Sequence, residues 1–248
     1  MNALSSREML EVWESCYALP PASRPRALLA AVCPELPPEA LGALRIGERD
    51  QRLLQLREWS FGPVLNCIAD CPKCGERHEI TLNAAELRAF AVAGEDRRER
   101  FDVCVMGFRI AFRLPTLDDL EFCQTSVDGR AARRLLFARC VLGAIREADD
   151  VPCPCSDLHD DVVAAIAEHM SEADPAGDIQ LGMKCAACEH GWQMNFDIAT
   201  FFWEELNAWA LRLVGEIHAL ARAYGWTESE ILALSPWRRQ LYLALVEP

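Results

Sequence analysis

Two C-x-x-C pairs, far apart in the chain, constrain its fold more than any other feature of the sequence. The first is Cys71 with Cys74 in CPKCGERHEITL, and the second is Cys185 with Cys188 in LGMKCAACEHGWQMNFD. Alternating apolar residues beside each pair predict strands, so each pair sits at the turn of a β-hairpin. Two such hairpins facing each other place four thiolates in a tetrahedron, the geometry of closed structural zinc sites. The sequence therefore predicts one zinc ion held by these four cysteines.

The segment between the two pairs is long for such a site. It covers residues 75–184, 110 residues in all, whereas common zinc ribbons have roughly 12 to 20. Closing a loop of this length costs about 4 kcal/mol in chain entropy, and binding of structural zinc supplies an apparent ~10 to 16 kcal/mol. A metal ion can therefore join two distant parts of this chain.

The overall pattern predicts an α+β fold, a mainly helical chain around a small antiparallel sheet with a split four-cysteine zinc-ribbon-like clasp. We expect a single discontinuous domain over residues 1–248. Its expected parts are an N-terminal helical region (1–58), two knuckle hairpins (59–83 and 178–200), a β-hairpin and helical insert (84–177), and C-terminal helices (201–248).

Local signals predict several element boundaries. Ser5 and Glu8 form a capping box, and a helix is expected to end at Gly62. After the charged turn GEDRRERF, the segment FDVCVMGFRIAFRLP predicts a hairpin. Helices are expected at TLDDLEFC, throughout RAARRLLFARCVLGAIREA, at SDLHDDVVAAIAEHMSEA, and along the amphipathic stretch ATFFWEELNAWALRLVGEIHALARAY.

The C-terminal tail shows clear helix punctuation. Gly225 ends the long helix, Thr227 begins a capping box, and Ser235 precedes the last helix. We expect its aromatic residues Tyr224, Trp226, Trp237 and Tyr242 to cluster, and Leu232, Leu241 and Leu245 to face inward. Because Trp and Arg are enriched at interaction hot spots, the candidate partner-binding residues are Trp226, Trp237, Arg238 and Arg239.

Charge and cysteine usage limit the class of function. The net charge is −13, from 38 acidic and 25 basic residues, and this opposes binding to phosphate backbones. The N-terminal segment lacks the pattern of a signal peptide, and no apolar run reaches the length of a membrane span. We therefore expect synthesis in the cytoplasm, where the 12 cysteines serve metal binding or remain free thiols. Neither nucleic acid, membrane nor small-molecule substrate is an expected partner.

Catalytic motifs are missing from the sequence, which favours a non-enzymatic protein. It contains no H-E-x-x-H, no G-x-S-x-G and no phosphate-binding loop. Two alternatives remain open. One is a zinc-ribbon adaptor that binds nucleic acid or transcription machinery, which a mobility-shift assay would test. The other is a thiol redox enzyme, which thiol titration with and without a chelator would test, although such an enzyme needs a helix after its C-x-x-C pair.

Four segments together resemble one known family. They are CPKCGERHEITL, FRLPTLDDL, ADPAGDIQLGMKCAACEHGWQMNFDIATFFWEEL and EIHALARAYGWTESEILALSPWRRQLYL. The chain resembles the baseplate-associated and hub assembly proteins of contractile phage tails and extracellular contractile injection systems. This resemblance implies a non-enzymatic role in assembling the baseplate, with hub or spike proteins as partners and Cys71, Cys74, Cys185 and Cys188 as the only site that carries over.

The two knuckles differ at one position. Glu189 stands in the second knuckle where Gly75 stands in the first. Because glycine tolerates the positive φ that such a turn requires, we expect the second turn to be strained or to use Gly191 instead.

Overall fold

The chain folds into a mainly helical α+β protein, as the sequence predicts. The structure is a computed structural model that describes residues 1, 3–93, 98–124, 126 and 128–246. The helices are α1 (Ser6–Tyr17), α2 (Arg24–Val32), α3 (Pro38–Gly42), α4 (Ile46–Phe61), α5 (Ala84–Ala93), α6 (Leu117–Cys123), α7 (Gly129–Cys140), α8 (Asp160–Ala173), α9 (Ile198–Tyr224), α10 (Glu228–Ala233) and α11 (Pro236–Val246).

The strands in the described part of the chain form three separate antiparallel sheets. Hairpin β1–β2 (Val64–Asp70 and Arg77–Asn83) carries the first cysteine pair, and hairpin β7–β8 (Ile179–Lys184 and Gly191–Phe196) carries the second. A four-stranded sheet lies between them in sequence. Its strands are β3 (Phe101–Val105), β4 (Phe108–Phe112), β5 (Val141–Arg146) and β6 (Val151–Pro152).

Two hydrophobic clusters form the interior. The larger one joins α1, α2, α4 and α9 to the bases of both cysteine hairpins, through Leu65 from β1 and through Ile179 and Phe196 from β7–β8. The smaller one lies within the insert, where Ile110 and Phe112 of the sheet pack with α7 and α8. The two hairpins therefore share one core although 110 residues, 75–184, separate their cysteine pairs.

The N-terminus of α4 is the place where two parts of the insert meet the main body. On one side, the N–H of Ile46 donates to the carbonyl of Pro115 at 3.3 Å, and the N–H of Leu117 donates to the carbonyl of Leu44 at 2.9 Å. On the other side, the N–H of Gly47 donates to Asp174 Oδ2 at 2.9 Å. A Cβ atom at Gly47 would lie 1.9 Å from Asp174 Oδ1, so this approach requires glycine.

A buried carboxylate, Asp119 in α6, joins the elements around this junction. It is fully buried (0% exposed) and accepts hydrogen bonds from Arg113 at 2.6 and 3.0 Å and from Arg139 at 2.7 Å. It also accepts from the N–H and the hydroxyl of Thr116, both at 3.0 Å. Burial alone would raise the pKa of Asp119, but these donors outweigh it and hold the pKa well below its usual range.

Most of the predicted helix boundaries are confirmed. The Ser5–Glu8 capping box begins α1, and Gly62 ends α4 with φ 87°. The hairpin at FDVCVMGFRIAFRLP forms β3 and β4. Gly225 ends α9 in a left-handed conformation, and Thr227 caps α10. Part of the charged turn GEDRRERF, residues 94–97, lies outside the described residues.

One predicted helix is wrong in its C-terminal part. The segment RAARRLLFARCVLGAIREA is helical only to Cys140, and VLGAIR then forms strand β5. Its β-branched residues Val141 and Ile145 suit a strand, and β5 pairs with β4 so that Ala144 lies opposite Ile110. Tertiary pairing with a hairpin more than 20 residues upstream therefore overrides the apparent helical periodicity.

The contacts of Asp119 generate a stability prediction. We expect Asp119→Asn to lower the free energy of unfolding by about 2 kcal/mol at pH 7, because two guanidinium groups lose their shared charged acceptor. Since the pKa of Asp119 is lowered by folding, its contribution is present above the unfolded pKa of about 3.9 and is lost as the pH falls below it. Urea denaturation at pH 7 and at pH 3 measures both effects.

The neighbouring Asp118 provides the control. It is exposed and pairs with Arg26 at the surface, so Asp118→Asn should change the free energy of unfolding by less than about 1 kcal/mol. Equal effects of the two substitutions, or an Asp119→Asn loss that does not shrink at low pH, would contradict the assignment.

Candidate metal centre

The two cysteine knuckles have the same backbone hydrogen bonds. In the first, the N–H of Cys71 donates to Glu76 O at 2.8 Å, and the N–H of Gly75 donates to Cys71 O at 2.9 Å. In the second, the N–H of Cys185 donates to His190 O at 2.9 Å, and the N–H of Glu189 donates to Cys185 O at 3.0 Å. The bonds within each motif link the same relative positions, so the two similar sequences fold into two similar turns.

The two turns bring all four predicted cysteines together. Cys71 Sγ lies 3.7 Å from Cys188 Sγ, and Cys74 Sγ lies 3.6 Å from Cys185 Sγ. All four sulfur atoms lie within 4.8 Å of one another. Each knuckle therefore contributes one sulfur to each close pair, which is how two facing hairpins build a tetrahedron.

The donor set fits a tetrahedral metal ion. A tetrahedron of thiolates with zinc–sulfur bonds of about 2.3 Å has sulfur–sulfur edges of about 3.8 Å. The two close pairs, at 3.6 and 3.7 Å, match this edge. Cys71 and Cys185 are buried, while Cys74 is exposed and Cys188 is half-buried, so the group lies at the surface end of the core. Four cysteines in this arrangement can hold a metal ion.

The thiols also influence each other's ionisation. Desolvation disfavours the thiolate of Cys71, but the N–H groups of Cys74 and Lys73 and the neighbouring thiols outweigh it and lower the pKa of Cys71 to about 7. For Cys74, the N–H of Glu76 favours the thiolate, yet the surrounding cysteines raise the pKa to about 12. One negative charge therefore forms readily in the cluster, and further thiolates need a cation to offset their mutual repulsion.

Aromatic side chains close the space between the hairpins. Trp192 of β8 lies with its ring centroid 5.8 Å from that of His78 in β2 and 6.3 Å from that of His190, which is stacked on it. His190 is not a member of the metal-ligand group, which contains only the four cysteines among the described residues. Cys153 and Cys155 pack instead against the insert cluster.

Strands, rather than helices, follow both cysteine pairs. Cys74 leads into β2 and Cys188 leads into β8. A redox C-x-x-C motif of the thioredoxin type stands before a helix, whose N-terminus helps to lower the thiol pKa. The arrangement here has the form of a zinc ribbon divided between two distant segments.

The predicted partner residues in the tail divide into two groups. Trp237 is 71% exposed, and Arg238 is also exposed. Arg239 was expected to face a partner, but it is 3% exposed and pairs with Glu216 at 3.3 Å. Trp226 is half-buried and stacks on Tyr224 at 4.6 Å, with Tyr242 at 4.9 Å.

The rest of the tail departs from the sequence-based expectation in two ways. Trp237 was expected to join the aromatic cluster, but among the described residues the ring contacts of this region involve only Tyr224, Trp226 and Tyr242. Leu241 and Leu245 were expected to face inward, but they are exposed, and Ile231 of α10 is buried instead.

Comparison with known protein families decides the broader assignment. The family model described as T4 bacteriophage base plate protein matches residues 27–203. The chain belongs to this family. The match includes both cysteine hairpins and the insert between them, and it confirms the resemblance to baseplate-associated phage proteins. No curated protein and no solved structure matches the chain.

Membership of this family indicates a structural or assembly role in a phage baseplate, and with it contact with other baseplate proteins. None of the described helices has both the length and the apolar character needed to cross a bilayer.

The knuckle turns generate a second prediction. Gly75 and Glu189 occupy the same position and both have positive φ, 74° and 56°, so Glu189, and not Gly191, adopts the left-handed conformation. We expect Glu189→Gly to raise the free energy of unfolding by about 0.5 to 1 kcal/mol, because relief of the left-handed strain exceeds the added chain entropy. Gly75→Ala should lower it by about 1 kcal/mol.

The control is Gly191→Ala. Gly191 lacks a positive φ, and an added Cβ would make only ordinary contact with Met183 O at 3.8 Å, so the change should stay within about 0.5 kcal/mol. Chemical denaturation of the metal-loaded protein measures all three variants. A loss of stability in Glu189→Gly would contradict the assigned strain.

Proposed function

We propose that this protein is a structural or assembly component of the baseplate of a contractile phage tail-like particle and that a structural zinc ion holds it together. It would be made in the cytoplasm and would contact the central hub or spike proteins during or after assembly. The observation that carries the proposal is the family match over residues 27–203, which contains the complete four-cysteine group.

Zinc is the metal that best suits the four cysteines. Thiolates are soft ligands, and a closed set of four in a tetrahedron is typical of structural zinc. When bound, the metal would supply charge balance for the thiolates and a covalent-like link between the two hairpins. The chain itself positions the ligands through the matching N–H···O bonds of the knuckles, so no large rearrangement is needed.

The metal assignment predicts one zinc ion per chain. Cys74→Ser should remove the metal and lower the free energy of unfolding by several kcal/mol, on the order of 5, because a three-thiolate site is open and loses much of the binding energy that supports folding. Elemental analysis of the purified protein and its melting temperature with and without a chelator give the measurement.

A matched control exists in the insert. Cys104 is an exposed cysteine in β3, outside the metal-ligand group. Cys104→Ser should keep the zinc content and melting temperature of the original protein. Protein purified without zinc, with a melting temperature indifferent to chelator, would refute the clasp.

The C-terminal helix provides a surface for a partner. Trp237, Leu241 and Leu245 are spaced by four residues along α11 and are 71%, 47% and 76% exposed. Residues four apart share one face of a helix, so these side chains form an apolar stripe, with Arg238 exposed beside it. Within the chain α11 is held by Arg239, which donates to Glu216 and to the carbonyl of Leu234. We propose that this stripe contacts a hub or spike protein.

The exposed stripe predicts that substitutions on it impair partner binding but leave folding intact. Trp237→Ala combined with Leu241→Ala should leave the zinc content unchanged and the free energy of unfolding within about 1 kcal/mol, because exposed side chains contribute little to stability. Co-purification with hub or spike proteins of the same particle should be lost, because exposed Trp and Leu become buried anchors in an interface.

Leu142→Ala is the matched control, since Leu142 is a similarly exposed leucine (54%) on β5 of the insert. It should retain co-purification. If the tail variant still binds every baseplate protein tested and still supports particle assembly, the docking role of α11 is wrong.

A further inference from the structure

Residues of the main body and of the insert line a large cleft. Its volume is about 990 Å³, at the upper end of the range of roughly 300 to 1,000 Å³ for ligand sites. Its apolar lining includes Leu120 of α6, Leu136 of α7 and Trp203 of α9, each of them half-buried. None of the four clasp cysteines is among the described residues that line it, so the cleft is separate from the candidate metal centre.

Acidic side chains outnumber basic ones in this lining. The charged residues are four carboxylates and two guanidiniums: Asp50, Asp178, Asp197, Glu204, Arg24 and Arg49. Arg49 and Asp50 form a buried ion pair with Nε 2.6 Å from Oδ1, so their charges offset each other. Three carboxylates then remain for one guanidinium, and the charge of the cleft is negative.

The three remaining carboxylates form no ion pair with a described residue. Asp178 and Asp197 accept hydrogen bonds only from neutral groups, and Glu204 has no hydrogen-bond partner in the described part of the chain. Asp197 and Glu204 are exposed. Arg24 does not neutralise them, because its guanidinium carbon lies over the ring of Trp203, 4.3 Å from the centroid.

The buried end of the cleft shows the effect of these charges. Burial is the main cause that raises the pKa of Asp50 to about 6, and Arg49 opposes it. Two further carboxylates, those of Asp197 and Asp174, raise this pKa again. A cation placed among these carboxylates relieves their repulsion, so the cleft is complementary to a positively charged ligand.

The two exposed carboxylates also set the spacing of such a ligand. Asp197 is the N-cap of α9 and Glu204 lies about two turns further along, on the same face, with Thr200 exposed between them. A rise of 1.5 Å per residue separates their Cα atoms by about 10 Å. An extended segment covers this distance in about three residues. Two basic side chains three positions apart therefore reach one carboxylate each.

We infer that this cleft binds a basic peptide segment of another baseplate protein. Its two basic side chains pair with Asp197 and Glu204, and an apolar or aromatic side chain of the segment lies against Leu120, Leu136 and Trp203. Nucleic acid does not fit, because its phosphates are repelled by the same carboxylates. The inference rests on the proposed function, since that role supplies protein partners, but it concerns a surface distinct from the cysteine group and from α11.

The test uses the full zinc-loaded chain and a displayed library of random 12-residue peptides. We expect selection of peptides with two Lys or Arg residues close to an aromatic residue or leucine. Their affinity is measured by fluorescence anisotropy at about 0.15 M salt, where distant surface charges are screened. Asp197→Asn combined with Glu204→Gln should weaken binding about tenfold or more. Arg24→Gln removes the unpaired cation of the lining and should strengthen binding.

A double-mutant cycle locates the peptide. Replacing its two basic residues by Met should cause the same loss as the two carboxylate substitutions, with little further loss when both sets of changes are combined. Asparagine at position 197 can still cap α9, and Glu204 has no partner to lose, so the fold should survive. The variant should keep its zinc content and melt within about 3 °C of the original chain.

The matched control removes the same charge elsewhere. Glu11 and Glu14 are exposed on α1, outside the lining of the cleft. Glu11→Gln combined with Glu14→Gln should bind the selected peptides as well as the original chain does. An equal loss in both double variants would show that only the net charge of the protein attracts the peptides, and would overturn the inference.

Three other outcomes would also overturn it: selection of peptides without basic residues, full binding by the cleft variant, or binding of spermidine that depends on Asp197 and Glu204 without binding of any peptide. The last outcome would assign the cleft to a small polyamine. Because these measurements use the isolated chain, their failure leaves the zinc and co-purification results intact, and the reverse also holds.

Discussion

Four sulfur atoms within 4.8 Å of one another connect parts of the chain that are far apart in sequence. The bases of both hairpins enter the same hydrophobic cluster through Leu65 and Phe196, so the tips and the bases are fixed together. A metal ion at the tips would act on a loop whose closure costs about 4 kcal/mol, far less than the apparent ~10 to 16 kcal/mol of structural zinc. The hydrophobic contacts then only have to orient the hairpins.

The insert between the hairpins has its own small core, and hydrogen bonds around the start of α4 link it to the main body. Pro115 and Asp174, from two separate parts of the insert, both contact the first turn of α4, while Asp119 pairs with two arginines near the same junction. Such contacts are directional, so they set the position of the insert more strictly than apolar packing would.

Much of the fold follows from local signals in the sequence. The capping boxes at Ser5 and Thr227 and the stop at Gly225 depend on neighbouring residues only, and they appear as expected. The meeting of the two cysteine pairs could also be predicted, because each pair supplies only two of the four ligands that a structural zinc site needs. Strand β5 could not be predicted in this way, because its partner β4 lies far upstream. The inward position of Arg239 depends on Glu216, 23 residues away on α9. The periodicity of α11 alone does not reveal this partner.

The C-terminal tail lies outside the segment that the family model matches. The family match ends at residue 203, within the second turn of α9, so the cysteine group lies inside it while α10 and α11 lie beyond it. The exposed stripe of α11 rests on the remainder of α9 through an ion pair and an aromatic cluster that use only residues beyond the match. A tail that supplies its own supporting contacts can change its exposed side chains without disturbing the metal site. This independence is consistent with the proposal that the exposed face of α11 contacts another baseplate protein.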